Sequence, residues 1–135
     1  RGWDEATRAT VAGWLARCDH VLLNEIECLS LSGAQAIADA ARWLTAHMKP
    51  SATLVMKRGA DGASAWSADK SIDIPAPVVD VVDTTGAGDA FNAGYLAACL
   101  RNASLVEALE DGVELASAAI ASSPRQYRPL ARTAP

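Results

Sequence analysis

Basic charge, aromatic rings, paired cysteines and long apolar runs are all in short supply in this chain, and each shortage narrows what it can be. Twelve lysines and arginines stand against sixteen acidic residues, a net charge of −4. A general nucleic-acid binder needs a basic face to neutralise phosphates, and none is offered. Arginines do gather between Arg125 and Arg132, but they are spread among prolines and read as a solvated tail. The three cysteines, Cys18, Cys28 and Cys99, are odd in number and lack a Cys-x-x-Cys spacing. They read as reduced, mostly buried thiols of a cytoplasmic protein. No basic partner stands near one to make it a nucleophile. The longest apolar runs, such as Ala93 to Leu100, are far too short to span a bilayer. No apolar core follows the polar Arg1 to Asp4, so no signal peptide is expected there. An initiating methionine is also missing, and the chain opens directly on a helix start, so a fragment is expected. Aromatics make up 5% of the residues while alanine is abundant, as in a helix-rich α/β protein.

What is present is a single-domain length of 135 residues, half of them apolar, enough for a real core. Asp4 to Cys18 reads as an amphipathic helix capped by Asp4, with Glu5 in the first turn and Val11, Trp14, Leu15 and Cys18 on one face. His20 to Asn24 is a short apolar run and hence a buried strand. Ser32 to Met48 reads as a second helix, capped by Ser32 and stopped near Pro50, with Ile37, Ala41, Leu44 and Met48 as core. His47 suits the helix end and is assigned no role. Ala52 to Lys57 is the next strand, Arg58 to Gly62 a turn, and Ala63 to Ser67 and Ser71 to Ile74 two shorter strands. Pro75 to Val82 is an extended connector. Helices follow over Ala87 to Arg101, carrying Phe91, Tyr95, Leu96 and Leu100, and over Leu105 to Ala121. The second has Leu105, Leu109, Val113, Ala116 and Ile120 on one side, and Gly112 marks close packing. Residues 125–135 read as a disordered tail.

Three stretches carry chemistry. The first is Val82 to Tyr95, VDTTGAGDAFNAGY, a glycine-rich turn running into a helix. Taken alone, a Gly-x-Gly before a helix is often a turn with Asp as cap. The other reading is an anion site: glycines allow close approach, and the first helical amides have no partner inside the helix. An acid at such a site makes sense if it works on a proton, which is the arrangement of phosphoryl transfer to a hydroxyl. The second stretch is Asn24-Glu25-Ile26-Glu27 at a strand end. It is either a capped short helix or, in an open α/β sheet, a ligand site. The third, Gly59 to Gly62, says hairpin by itself.

The match at the first stretch is longer than a single Gly-x-Gly. DTTGAGDAF resembles the C-terminal pattern of the ribokinase-like (PfkB) sugar kinase family, Asp-Thr-x-Gly-Ala-Gly-Asp-x-Phe, with every fixed position met by Asp83, Thr84, Gly86, Ala87, Gly88, Asp89 and Phe91. The resemblance implies that Asp89 is the catalytic base and that Gly86, Ala87, Gly88 and Asp89, with Thr84, surround the transferred phosphoryl group. It implies that Asn24 and Glu27 help to position Mg²⁺ through water, and that Gly59 and Gly62 lie against ATP. Lys57 stands where many members have a hydroxyl residue and some 2-keto-sugar acid kinases look similar with lysine; it either reaches the ATP phosphates, the reading preferred, or is only a strand-end charge. The resemblance places a monovalent cation, K⁺, near Asp83 and Thr85. The fold it implies is α/β, a three-layer αβα sheet with flanking helices, with the N-terminal half and lid absent. Residues 1–124 would be the nucleotide-binding and catalytic half. The expected activity is ATP-dependent phosphorylation of a sugar or sugar-acid hydroxymethyl group, the partners being ATP and that small acceptor. Nucleic acid and membrane are not expected as partners, and a homodimer is expected of the full-length form. A kinase of a nucleoside or vitamin-precursor alcohol, or a non-catalytic nucleotide-binding remnant, are the alternatives.

Overall fold

In the computed structural model of the chain, residues 3–68 and 70–122 are described. Ten elements follow in order: α1 (Glu5–Leu15), β1 (His20–Asn24), α2 (Glu25–Ser32), α3 (Ile37–His47), β2 (Thr53–Lys57), a 3₁₀ turn (Gly59–Asp61), β3 (Ala63–Ser67), β4 (Lys70–Ile74), α4 (Ala87–Leu100) and α5 (Leu105–Ile120). The strands form one sheet in the order β1-β2-β3-β4. β1 and β2 are parallel, with His20 opposite Thr53 and Asn24 opposite Lys57. The chain divides into two compact units, residues up to Arg58 with Ser64–Ile72, and Gly59–Ala63 with residues from Asp73 onward.

The first unit is an αβ layer structure closed by apolar burial. β2 reads TLVMK because a parallel strand is covered on both faces, and Leu54, Val55 and Met56 are fully buried. Around them pack Leu15 of α1, Val21 of β1, Cys28 and Leu31 of α2, and Ala40, Ala41 and Leu44 of α3. The valine, leucine and methionine side chains among these each contribute about 1.5–3 kcal/mol by leaving water. Asp4 caps α1, accepting from the Thr7 amide at 2.7 Å, and hydrogen bonds from the Thr7 side chain first and its amide second hold the carboxyl below the ordinary value. Lys49 does the same for Asp19, at 2.5 Å across the turn that enters β1.

Two expectations in this unit are corrected. Trp14 does not belong to the buried face of α1: it is 63% exposed, and Leu15 makes the core contact. The helix also ends at Leu15, where the Cys18 thiol donates back to the Trp14 carbonyl. The single helix expected from Ser32 to Met48 is two elements. Gly33 adopts φ +73°, left-handed, and stops α2 there, its amide donating to the Leu29 carbonyl. Ser32 is therefore the last residue of α2 and no cap of α3, which begins at Ile37 without a side-chain cap.

The second unit is dominated by the α4–α5 hairpin. Gly94 and Gly112 allow the two helices to approach: a Cβ on Gly94 would lie 2.6 Å from the Asp111 carbonyl oxygen. Arg101 closes the hairpin on the buried Asp111 at 2.7 Å. Ser104 and Glu107 form a reciprocal capping box at the start of α5. Of the expected α5 face, Leu109 and Val113 are buried while Leu105, Ala116 and Ile120 are half-buried. The expected tail lies outside the described residues.

Candidate active site

In the first unit the site residues gather at the carboxyl ends of β1 and β2, the end of an open α/β sheet where ligands bind. Asn24 and Lys57, the last residues of the two strands, stand opposite one another in the parallel register. Asn24 is at the same time the N-cap of α2. Its Oδ1 accepts from the Glu27 amide at 2.7 Å, and the Asn24 amide donates to Glu27 Oε2 at 2.8 Å. The capped-helix reading of Asn-x-x-Glu is thus realised, and one carboxylate oxygen of Glu27 is left over. Arg58, singled out by no motif, follows directly. Its Nε donates to Glu25 Oε2 at 3.5 Å and its Nη1 to Ser64 Oγ at 3.4 Å. The visible signal was only a Lys-Arg pair ending a strand.

Cys28, one turn into α2, is fully buried. Burial first, then the charges of Glu27 and Glu25, push its thiol up to about 12, so it takes no part as a nucleophile at neutral pH.

In the second unit the glycine turn is laid out residue by residue. The Val82 and Asp83 amides both donate to the Ile120 carbonyl, at 2.8 and 3.2 Å, which ties the end of the connector to the end of α5. Asp83 Oδ1 accepts from the Thr85 amide at 2.9 Å, turning the chain. Gly86 then adopts φ +77°, ψ +8°, a conformation that strongly favours glycine, and serves as N-cap of α4 with no side-chain cap. The Ala87 amide reaches the Thr84 carbonyl at 3.3 Å, and the Ala90 amide bonds to the Gly86 carbonyl. Between them the amides of Gly88 and Asp89 have no hydrogen-bond partner among the described residues. Asp89 is the third helical residue and exposed. The two donors are open on the positive end of the helix dipole.

Further along the same helix, the Phe91 and Tyr95 rings stack with centroids 6.3 Å apart. Both are buried, and burial raises the Tyr95 phenol above its ordinary value. Gly59 and Gly62 bracket the 3₁₀ turn, both with positive φ. A Cβ on Gly62 would collide with the Ile74 carbonyl, so the turn is held against the chain leaving β4. Among the described residues no group of three or more His, Cys, Asp or Glu is placed to hold a metal ion. No described helix is long and apolar enough to cross a membrane.

Residues 1–130 match the pfkB family of carbohydrate kinases. Over 91 residues the chain is 40% identical to a fructokinase of Rhizobium leguminosarum bv. trifolii, covering 66% of this chain and 27% of that protein. It is 40% identical over 104 residues to the 2-dehydro-3-deoxygluconokinase of Escherichia coli, covering 73% of this chain and 31% of the relative. Among solved structures, aminoimidazole riboside kinase from Salmonella enterica, complexed with aminoimidazole riboside and an ATP analogue, superposes with a TM-score of 0.78 at 33% identity, over 90% of this chain and 42% of that one. The chain belongs to the pfkB family of carbohydrate kinases, and its α/β fold is the ribokinase-like one. It spans about a third of the length of the curated relatives it matches.

Proposed function

We propose that the protein carrying this chain transfers the γ-phosphoryl group of ATP to the hydroxymethyl group of a sugar or sugar acid, with this chain supplying the base and most of the nucleotide contacts. The observation that carries the reading is the pair of open amides at Gly88 and Asp89, beside an exposed carboxylate that no cap or ion pair engages among the described residues. The names of the fructokinase and sugar-acid kinase relatives support the acceptor class.

In this mechanism Asp89 accepts the proton of the acceptor hydroxyl as its oxygen attacks phosphorus, a role worth about 10²–10⁴-fold in rate. The Gly86 to Asp89 backbone, flanked by Thr84, surrounds the phosphoryl oxygens, with the dipole of α4 directed at the developing charge. Gly59 and Gly62 bring backbone close to the nucleotide, and Lys57 reaches its phosphates.

Mg²⁺, when bound, neutralises phosphate charge and holds the phosphate oxygens in place. Asn24 and Glu27 fit it only at one remove. Each already gives one side-chain oxygen to the capping box, and the remaining carboxylate oxygen of Glu27 is suited to a metal-bound water. K⁺ would be held near Asp83 and Thr85. A homodimer of the full-length protein and a cytoplasmic location complete the reading.

The likeness to the aminoimidazole riboside kinase favours one second reading, a nucleoside-type acceptor. A screen of sugars, sugar acids and nucleosides with ATP, on the chain completed to full kinase length, decides between them. On the present chain, ADP with Mg²⁺ should raise the melting temperature. No shift with ADP at saturating concentration would reject nucleotide binding by this part alone.

A further inference from the structure

One charged cluster at the carboxyl end of the sheet is used by no step proposed above. The parallel register of β1 and β2 closes on Asn24 opposite Lys57. One residue further on, Glu25 and Arg58 are joined: Arg58 Nε donates to Glu25 Oε2 at 3.5 Å. The same guanidinium donates through Nη1 to Ser64 Oγ at 3.4 Å, and Ser64 is buried in β3. Arg58 thus ties the end of β2 to the first residue of α2 and to the neighbouring strand.

A planar guanidinium suits this place, because its fixed fork can serve two acceptors at once. Water still reaches 28% of the Arg58 side chain and 37% of the Glu25 side chain. A pair so placed contributes little to stability. What it does supply is alignment.

The need for alignment comes from the Asn24–Glu27 box. Its two hydrogen bonds are internal: they fix Asn24 and Glu27 to one another and fix neither to β2. Glu25 lies between them, in the same first turn of α2. The Arg58–Glu25 pair therefore supplies a tie that the box's own bonds do not, from this turn to the end of β2. Arg58 also stands in sequence between Lys57 and Gly59, so one anchor bears on both residues proposed to meet the nucleotide.

We infer that Arg58 is a positioning residue for phosphoryl transfer: held by Glu25 and Ser64, it keeps the Asn24–Glu27 box in register with Lys57 at the strand ends. The inference rests on the kinase reading above. In this role Arg58 touches neither acceptor nor phosphate; it acts through Glu25 on the turn whose Glu27 carboxylate is suited to a metal-bound water.

The test uses the chain completed to full kinase length. Arg58→Ala should raise the Mg²⁺ concentration for half-maximal turnover about tenfold, the low end for a group standing behind a metal site. ADP affinity at low Mg²⁺ should fall by a similar factor, while kcat at saturating Mg²⁺ stays near the parent's. The melting temperature should move little. Arg58→Lys keeps the charge but not the fork, and should fall between parent and alanine variant. Glu25→Gln should raise the Mg²⁺ requirement as Arg58→Ala does. The double variant should be no worse than either single one, as for residues that act as a unit.

A Mg²⁺ requirement and ADP affinity equal to the parent's in Arg58→Ala overturn the inference. So does a lowered melting temperature or kcat with the Mg²⁺ requirement unchanged, which makes Arg58 a strut alone. If Arg58→Ala fails to fold, Arg58→Lys and Glu25→Gln carry the same comparison. Calorimetry of ADP binding across Mg²⁺ concentrations needs no acceptor. It therefore decides the role of Arg58 even where no sugar, sugar acid or nucleoside is phosphorylated, a result that rejects the acceptor reading by itself. A parent protein whose ADP binding ignores Mg²⁺ overturns both.

Discussion

The ring of Phe91 lies against Gly112 so closely that a Cβ on that glycine would sit 2.8 Å from a ring carbon. Phe91 is two residues beyond Asp89, and this contact sets the roll of α4 against α5. It gives a packing reason for the aromatic that ends the Gly-Ala-Gly-Asp-x-Phe pattern. The pattern is thus half chemistry and half anchor.

Alanine at the two contact glycines separates yielding from unyielding neighbours. Alanine is favoured over glycine in a helix by about 1 kcal/mol, and overpacking costs about 1–3 kcal/mol. At Gly112 the obstacle is a ring that can shift; at Gly94 it is the backbone carbonyl of Asp111. Urea unfolding should show Gly94→Ala as the more destabilised of the two. A Gly94→Ala protein as stable as the parent would contradict the packing.

Glu27 holds a cap whatever else it does, and its two jobs can be told apart. Glutamine at the third helical position keeps the capping box and removes the charge. In the full-length kinase, Glu27→Gln should leave the melting temperature near the parent's and raise the Mg²⁺ concentration needed for half-maximal turnover. Glu27→Ala should do both kinds of damage, losing about 1 kcal/mol of stability as well. An unchanged Mg²⁺ requirement in the glutamine protein would leave Glu27 a cap alone.

The buried thiol of Cys28 predicts an alkaline limit. Its folded-state value, about 12, stands above the ordinary 9.0, so the folded state holds the proton more tightly than the unfolded one. The stability this contributes is fully present below pH 9, and is lost as pH rises toward 12. Denaturant titrations between those limits should show stability falling, and Cys28→Ala should flatten the slope. The raised Tyr95 phenol acts in the same direction and leaves a residual slope. Identical slopes for parent and variant would rule out the Cys28 contribution.

Much of this architecture was legible because local and global signals agreed. The HVLLN strand, the Asn-x-x-Glu box and the two final helices lie where apolar period and capping chemistry placed them. Gly112 was marked for close packing, and the structure supplies the partner. The misreadings share one cause: apolar spacing does not report which contacts are available. Ser32 looks like a cap, but Gly33 turns left-handed and ends the preceding helix first. Trp14 fits the helical period and still faces water, because Leu15 reaches the core. The Arg58 ion pair with Glu25 could not be read at all, since it joins residues from two strand ends 33 positions apart. Site residues separated in sequence meet only through the register that sets Asn24 opposite Lys57.

The role of Asp89 as base is the claim on which the account stands, and one substitution tests it. In the full-length kinase, Asp89→Asn keeps the size and shape of the side chain and removes its ability to accept the proton. The measurement is kcat with the preferred acceptor, alongside ADP affinity. Turnover should fall at least about 10²-fold while ADP affinity stays near the parent's. Turnover within a few-fold of the parent would contradict the account, and the open amides at Gly88 and Asp89 would then mark an anion site with no base beside it.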